Sequence, residues 1–471
     1  MANSCSDEFL EVEPTGVLIA QNTVDYDLML NRGIGNLGGL GELSYRSFEN
    51  CALEPHFSKA HPTDDPGRNN FTWEPGIYNE GEDVMYFAHG NGFMSQLYIL
   101  NKIVNEVLTS KGGSQAQKEE IHAEAKARRA NIYFQLVNLL GKPYNASTAS
   151  TDLGVPIITE SEVNATGFRR ATVQEVYDFI IEDLTSAIPL VPVKQPDKPR
   201  MSRPSAKAVL GKVYVYMNRF DEALPLFDEA INQLQLNNQV GIYDYNVTTL
   251  PGGIHTTFFG GPGFSLFTEA FEDDFIYVSG NPAGFTRSNV LLSPEVSAMY
   301  DPNDLRIQFF FSRKPFPPLS FNPDYPHPGI YRRLGSFYAN RGVKVPDLHL
   351  LRAECKARAN NLSGAIDDLE FLRRHRMDPI FADVPAGLSQ EDLIKYVIDE
   401  RTREYAITGE LWFDMRRLWN DPIFQYKKPY THTLYDVDGS VMETYTLEED
   451  RLVIRFGPEI VAQNPGFIDN P

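Results

Sequence analysis

A net charge of −20 on 471 residues excludes the basic face that nucleic acid or an anionic membrane surface demands of a partner. Three cysteines, Cys5, Cys51 and Cys355, are too few and too scattered for a disulfide framework or a zinc site. No run of about eighteen apolar residues marks a membrane-spanning helix, and Met1 to Ser4 is too short for a signal peptide, so the start reads as processed.

Ser6 to Gly16 is polar and extended, and Thr23 to Asn31 reads as a helix. The glycines at Gly33, Gly35 and Gly38 match a dinucleotide-binding fingerprint on paper. No strand precedes them and no βαβ unit follows, so they form a glycine loop. Ser47 to Gly90 is irregular and rich in Pro, Gly, Asp and aromatic residues. Phe93 to Leu108 is an amphipathic helix, stopped by Lys111-Gly112-Gly113. Gln115 to Leu140 is a long helix with Ala123, Ala127, Ala130 and Phe134 on one stripe, closed by Gly141 as a C-cap. The two helices form an antiparallel pair. After a loop with a short extended piece at Val155 to Ile158, Thr172 and Glu175 make a capping box. The helix it opens ends at Pro189 and Pro192.

Pro204 to Leu234 carries two helical patterns around a turn at Asn218-Arg219. Leu210, Gly211 and Tyr214 fall on one face, and Ala223, Phe227 and Ala230 on the other. These are the offsets of a tetratricopeptide repeat, with small residues where the helices cross and aromatic rings filling the groove. A second unit runs from Val345 to Arg374, with Ala353, Ala365, Leu369 and Leu372 at the matching positions and Lys356 where an aromatic is expected. Between them, Gln235 to Pro346 is a long aromatic- and glycine-rich insertion with a strand at Phe275 to Val278, and such insertions tend to carry function. Ser389 to Asp392 caps a helix through Tyr405, Gly409 breaks it, and Glu410 to Trp419 forms another. Asp438-Gly439 centres a hairpin over Thr431 to Leu447.

Three blocks in this order resemble the SusD/RagB family of outer-membrane nutrient-binding lipoproteins. They are Glu124 to Tyr144 with Asp152 to Ile157, Pro346 to Arg376, and Glu400 to Trp419. Leu411 departs from the pattern, standing where the family more often has Arg before Trp-Phe-Asp. The resemblance implies a mainly α protein, one unit over residues 1–471: a tetratricopeptide-type scaffold of about four helix pairs (residues 93–140, 172–234 and 345–419). It further implies a loop-rich ligand lobe with a few short strands (33–90 and 235–345) and a tail (420–471). It implies an oligosaccharide-capturing lid on a SusC-like TonB-dependent transporter, held on the cell outer membrane by a lipid on Cys5, with no cofactor and no catalysis. A peptide-binding member of the family and a glycan hydrolase are the alternatives, and a protein–protein scaffold is a third.

Sugar rings stack on aromatic planes and their hydroxyls pair with polar side chains. Trp73 is the leading platform, with Tyr78, Asp83 and Tyr86 near it in sequence. In the insertion, Phe258, Phe259, Phe267 and Tyr277 are candidates for stacking, and Arg287 and Asn289 for hydrogen bonding. The run LWFDMRRLW from Leu411 to Trp419 crowds Asp414, Arg416 and Arg417 together, but a glycosidase needs a second carboxylate across the bond, and none is identifiable. The block therefore reads as structural. The histidines have no metal spacing, and Asp301 to Asp304 reads as a helix-stop turn rather than a calcium loop.

Overall fold

Runs of helix formers bounded by side-chain caps set the architecture. The protein is seen in a computed structural model whose described residues are 20–31, 45–63, 65–77, 92–162, 167–237, 241–248, 275–277, 290–315, 323–333 and 342–471. Helix α1 (Thr23–Asn31) leads to strand β1 (Asn50–Leu53) and two short helices, α2 (His56–Ala60) and α3 (Pro66–Phe71). The helical stack begins with α4 (Phe93–Glu106), α5 (Gln115–Leu140), α6 (Val173–Ala187), α7 (Arg203–Tyr216) and α8 (Phe220–Asn237). The insertion holds α9 (Tyr245–Thr248), β2 (Phe275–Tyr277), β3 (Val290–Leu292), α10 (Pro294–Ser297) and α11 (Leu305–Phe310). It ends with β4 (Phe311–Ser312), β5 (Arg332–Arg333) and β6 (Val343–Lys344). The stack resumes with α12 (Val345–Arg358), α13 (Leu362–Arg374), α14 (Gln390–Tyr405) and α15 (Glu410–Arg417), followed by β7 (Thr431–Tyr435), β8 (Val441–Thr446) and α16 (Pro458–Gln463).

Local chemistry explains the helix ends. Ser114 Oγ accepts from the Gln117 amide at 3.2 Å while Gln117 Oε1 accepts from the Ser114 amide at 2.9 Å, so two orphan donors at the start of α5 are satisfied reciprocally. Thr172 and Glu175 do the same for α6 at 3.2 and 2.7 Å. Gly141 does follow α5, but with φ −88° and ψ 162° it is extended, not left-handed. Its glycine identity has a different cause: a Cβ there would lie 2.8 Å from the Val137 carbonyl oxygen.

Consecutive helices pack in order, α4 on α5, α5 on α6, α6 on α7 and α7 on α8; α12 then packs on α8, α13 and α14. Within α7–α8, a Cβ on Gly211 would meet the Phe227 ring at 2.8 Å, so the small residue is what lets the two backbones close. Phe227, Ala223 and Ala230 are fully buried. Asn218 takes the left-handed turn at φ 58°, a conformation Asn tolerates better than most residues. The expected burial of Tyr214 is corrected: it is half-buried, with the Arg219 guanidinium 4.5 Å over its ring, and Tyr216 is the buried aromatic. In α12–α13, Ala353, Ala365, Leu369 and Leu372 are all fully buried. Lys356 replaces the expected aromatic because its Nζ reaches Asp368 at 2.8 Å.

The stretch read as irregular contains β1, which forms the middle of a sheet ordered β3-β1-β7-β8. Four consecutive buried residues give β1 no alternation to read. It runs antiparallel to β3 and parallel to β7, and Cys51 is buried there opposite Leu291 and Thr433. The β7–β8 hairpin turns at Gly439, φ +85°, where the sequence places it. Strand β2 occupies the expected site, ending at Tyr277, with Val278 outside the described residues. The Asp301 to Asp304 turn is corrected from a stop to a start: Asp304 caps α11, accepting from the Arg306 amide at 2.9 Å.

The core also contains charge. Glu400 of α14 is held by Arg306, Arg373 and Arg403 at 2.6, 3.0 and 2.7 Å. Asp414 of α15 pairs with Arg401 at 2.9 Å and Arg417 at 2.7 Å, and Trp412 is fully buried beside it. The LWFDMRRLW block is thus consumed in bracing α14 and α15.

Candidate ligand-binding cleft

Asp65 sets the geometry of α3. Its Oδ1 accepts from the amides of Gly67 and Arg68 at 2.9 and 3.3 Å, and Pro66 supplies the preset φ of the first turn. The helix lasts six residues and turns sharply at Trp73, whose φ is +55°. Asn69 Nδ2 donates to the Gly76 carbonyl at 2.9 Å, fastening the following loop back onto the helix.

Beside this turn lies an open cleft of about 420 Å³, walled by Arg68, Asn69, Thr72 and Glu74 on one side and by Glu443 and Tyr445 of β8 on the other. Tyr445 sets its ring edge-on to Phe71 at 5.9 Å and donates to Glu443 Oε2 at 2.6 Å. Burial and the Glu443 carboxylate together push the Tyr445 phenol well above its ordinary value, so it remains a hydrogen-bond donor at neutral pH. The Arg68 guanidinium lies 5.3 Å over the Phe57 ring, and among the described residues its hydrogen bonds are long, 3.4 Å each, to Ser58 Oγ and the His61 carbonyl. The cleft therefore offers a cation, amide, hydroxyl and carboxylate groups and an aromatic edge, the set that a polyhydroxylated ligand uses.

Trp73 itself does not present a platform. It is 3% exposed, its Nε1 donates to the Arg46 carbonyl at 3.0 Å, and its ring stacks on His432 at 3.8 Å. His432 also stacks on Phe71 at 4.7 Å, and its nitrogens lie 2.7 Å from the carbonyl oxygens of Phe71 and Ser47. Trp73 forms the floor beneath the turn, a correction that follows from its burial. Tyr277 is likewise a core residue, 3% exposed. Tyr78, Tyr86, Phe259, Arg287, Asn289 and Cys5 lie outside the described residues, as do Asp83, Phe258 and Phe267. Sequence reasoning passed over Arg68, Asn69 and Tyr445. The first two were readable as polar residues ahead of the aromatic pair at 71 and 73; Tyr445 joins them only through the fold.

A second cleft, about 500 Å³, lies between α1, α5 and the 192–200 loop. Its buried Arg200 and Glu124 already pair with each other at 2.8 Å, and Arg200 also pairs with the partly exposed Asp27 at 2.8 Å. Among the described residues no group of three or more His, Cys, Asp or Glu side chains is placed to hold a metal, and no helix is long and apolar enough to cross a membrane.

Residues 8–215 match a family described as starch-binding and associating with the outer membrane, and residues 345–452 match the SusD family. SusD-like protein P2 of Formosa agariphila is 24% identical over 99% of this chain and 96% of its own length. A SusD superfamily structure from Bacteroides vulgatus superposes with a TM-score of 0.68 at 16% identity, covering 96% of this chain and 99% of that one. A laminarin-binding SusD-like protein superposes with a TM-score of 0.63 at 16% identity, covering 96% and 99%. These solved structures share the fold.

Proposed function

For a chain that belongs to the SusD/RagB family, we propose capture of an oligosaccharide at the outer-membrane surface and its transfer to a SusC-like TonB-dependent transporter on which the protein sits as a lid. A lipid on Cys5 is the proposed anchor. The observation that carries the binding step is the polar cleft between α3 and β8, whose side chains suit sugar hydroxyls. We assign the first contacts to Arg68, Asn69 and Tyr445, with Tyr78, Tyr86, Phe259, Arg287 and Asn289 as further contacts from the loop-rich lobe. Trp73 acts from beneath, by fixing the turn. Binding without turnover is proposed, since the buried Asp414 is engaged by two arginines.

Titration calorimetry against a glycan panel that includes laminarin and starch tests this reading. The expected result is saturable binding to at least one glycan, with no new reducing ends on prolonged incubation. Arg68→Ala should weaken that binding roughly tenfold or more, the loss of one charged hydrogen bond, with an unchanged unfolding midpoint. Binding to no glycan, or full affinity in Arg68→Ala, would remove the cleft from consideration. Release of reducing ends would favour a hydrolase instead.

A further inference from the structure

A small, half-open cavity of about 40 Å³ lies between α5, α7, α8, α12 and α15, with β6 at its edge. Gln135 of α5 lines it, 6% exposed, and among the described residues neither its Oε1 nor its Nε2 has a hydrogen-bond partner. Its neighbour on the same helix behaves normally: Asn138 Nδ2 donates to the Phe134 carbonyl at 2.8 Å and to Tyr177 Oη at 3.2 Å. The lining also carries charge that is matched within itself, with Lys212 Nζ 3.2 Å from Asp347 and 3.5 Å from Glu410.

A buried amide with both ends unpaired is costly, and its two ends ask for opposite things. Oε1 needs a donor and Nε2 an acceptor. A metal cation satisfies only the oxygen and repels the NH₂; an anion does the reverse. A hydroxylic guest serves both. A single water takes about 10–15 Å³ in this measure of volume, so about 40 Å³ holds a few waters and no sugar ring. We infer that Gln135 anchors a small cluster of long-lived water that bridges its amide to the Lys212–Asp347–Glu410 wall. The site sits on a seam: α5 and α7 start within the segment 8–215, and α12 and α15 lie in 345–452, the two stretches with separate family matches. Ordered water there joins the two halves of the stack through hydrogen bonds where apolar packing is incomplete.

Magnetic relaxation dispersion of ¹⁷O counts waters with long residence times, and a crystal structure at a resolution that shows ordered water locates them. The wild-type protein should show water within hydrogen-bond distance of Gln135 Oε1 and Nε2. Gln135→Met, close in volume and lacking the amide, should lose at least one long-lived water. Equal counts in the two proteins would overturn the inference. So would a wild-type structure in which Gln135 pairs directly with protein and the cavity is dry. A peak at roughly 2.0–2.6 Å from Oε1 would identify a cation and also overturn it. If Gln135→Met does not fold, the wild-type structure alone decides.

Discussion

Trp73 shows how burial separates a ligand contact from the residue that positions it. Its ring is locked between His432 and the Arg46 carbonyl, and its backbone sits in the left-handed region, where a bulky side chain is rare. Truncating it should cost on the order of 3–5 kcal/mol of stability, so lost binding in that variant would report folding as much as recognition. The half-buried Arg68 is the cleaner probe. A second residue-scale device is Glu49, fully buried, whose Oε1 accepts from the Ile407 amide at 3.1 Å. Ile407 is a β-branched residue held at φ +58°, so this bond fixes a strained joint between the sheet and the α14–α15 corner. Burial raises the Glu49 carboxyl to about 8, against the lowering effect of its backbone hydrogen bonds. The native state therefore keeps Glu49 neutral where the unfolded chain ionises it. Its contribution to stability is full below about pH 4 and is lost as pH rises toward about 8. Glu49→Gln retains an acceptor for Ile407 and cannot ionise. Urea midpoints of the two proteins should diverge between about pH 5 and pH 8, the variant becoming the more stable. Parallel curves would show that Glu49 is charged in the native protein.

At the scale of elements, what the sequence discloses depends on whether a signal is local. The capping box of α6, the α7–α8 and α12–α13 hairpins and the Asp438-Gly439 turn are all set by residues within a few positions of one another, and all are found where expected. Strand β1 was hidden because its partners are Leu291 and Thr433, hundreds of residues away, and because uniform burial erases its period. The cleft is hidden for the same reason: α3 and β8 meet only through the sheet. Gly211 is the sharpest local reading. Gly211→Ala puts a methyl group against the buried Phe227 ring, and overpacking of this kind costs roughly 1–3 kcal/mol. A guanidinium titration should show the drop with an unchanged slope. A stabilised variant would mean that α7 and α8 stand further apart, since Ala in place of Gly otherwise favours a helix by up to about 1 kcal/mol.

The whole molecule is tied together by carboxylates that sit among arginines. Burial alone would raise the pKa of Asp347, Glu354 and Glu404, but the charges of Lys212, Arg401, Arg417, Arg376 and Arg306 beside them win, and each carboxylate is held at about 2. Asp368 is held at about 2 by His349 and Arg352 against the same cost of burial, and Glu400 is held lower still by its three arginines. In the unfolded chain these groups titrate near pH 4. Their depressed native values mean that the stabilisation is complete above about pH 4 and disappears as pH falls toward about 2. Each contributes a slope of up to about 1.4 kcal/mol per pH unit in that window, and several acting together should make the acid limb steep. Glu49 tilts the neutral limb the opposite way, but burial holds His432 at about 4, below its unfolded value of about 6.5, and this offsets the Glu49 slope below about pH 6.5, so the stability maximum should fall close to neutrality, at about pH 6–7. Urea midpoints measured from pH 2 to pH 8 check this. The acid limb should persist at high salt, because buried pairs are screened far less than exposed ones. A limb that vanishes at about 1 M salt would instead trace acid unfolding to repulsion among exposed charges, and would mean that the arginine clusters do not hold the stack together.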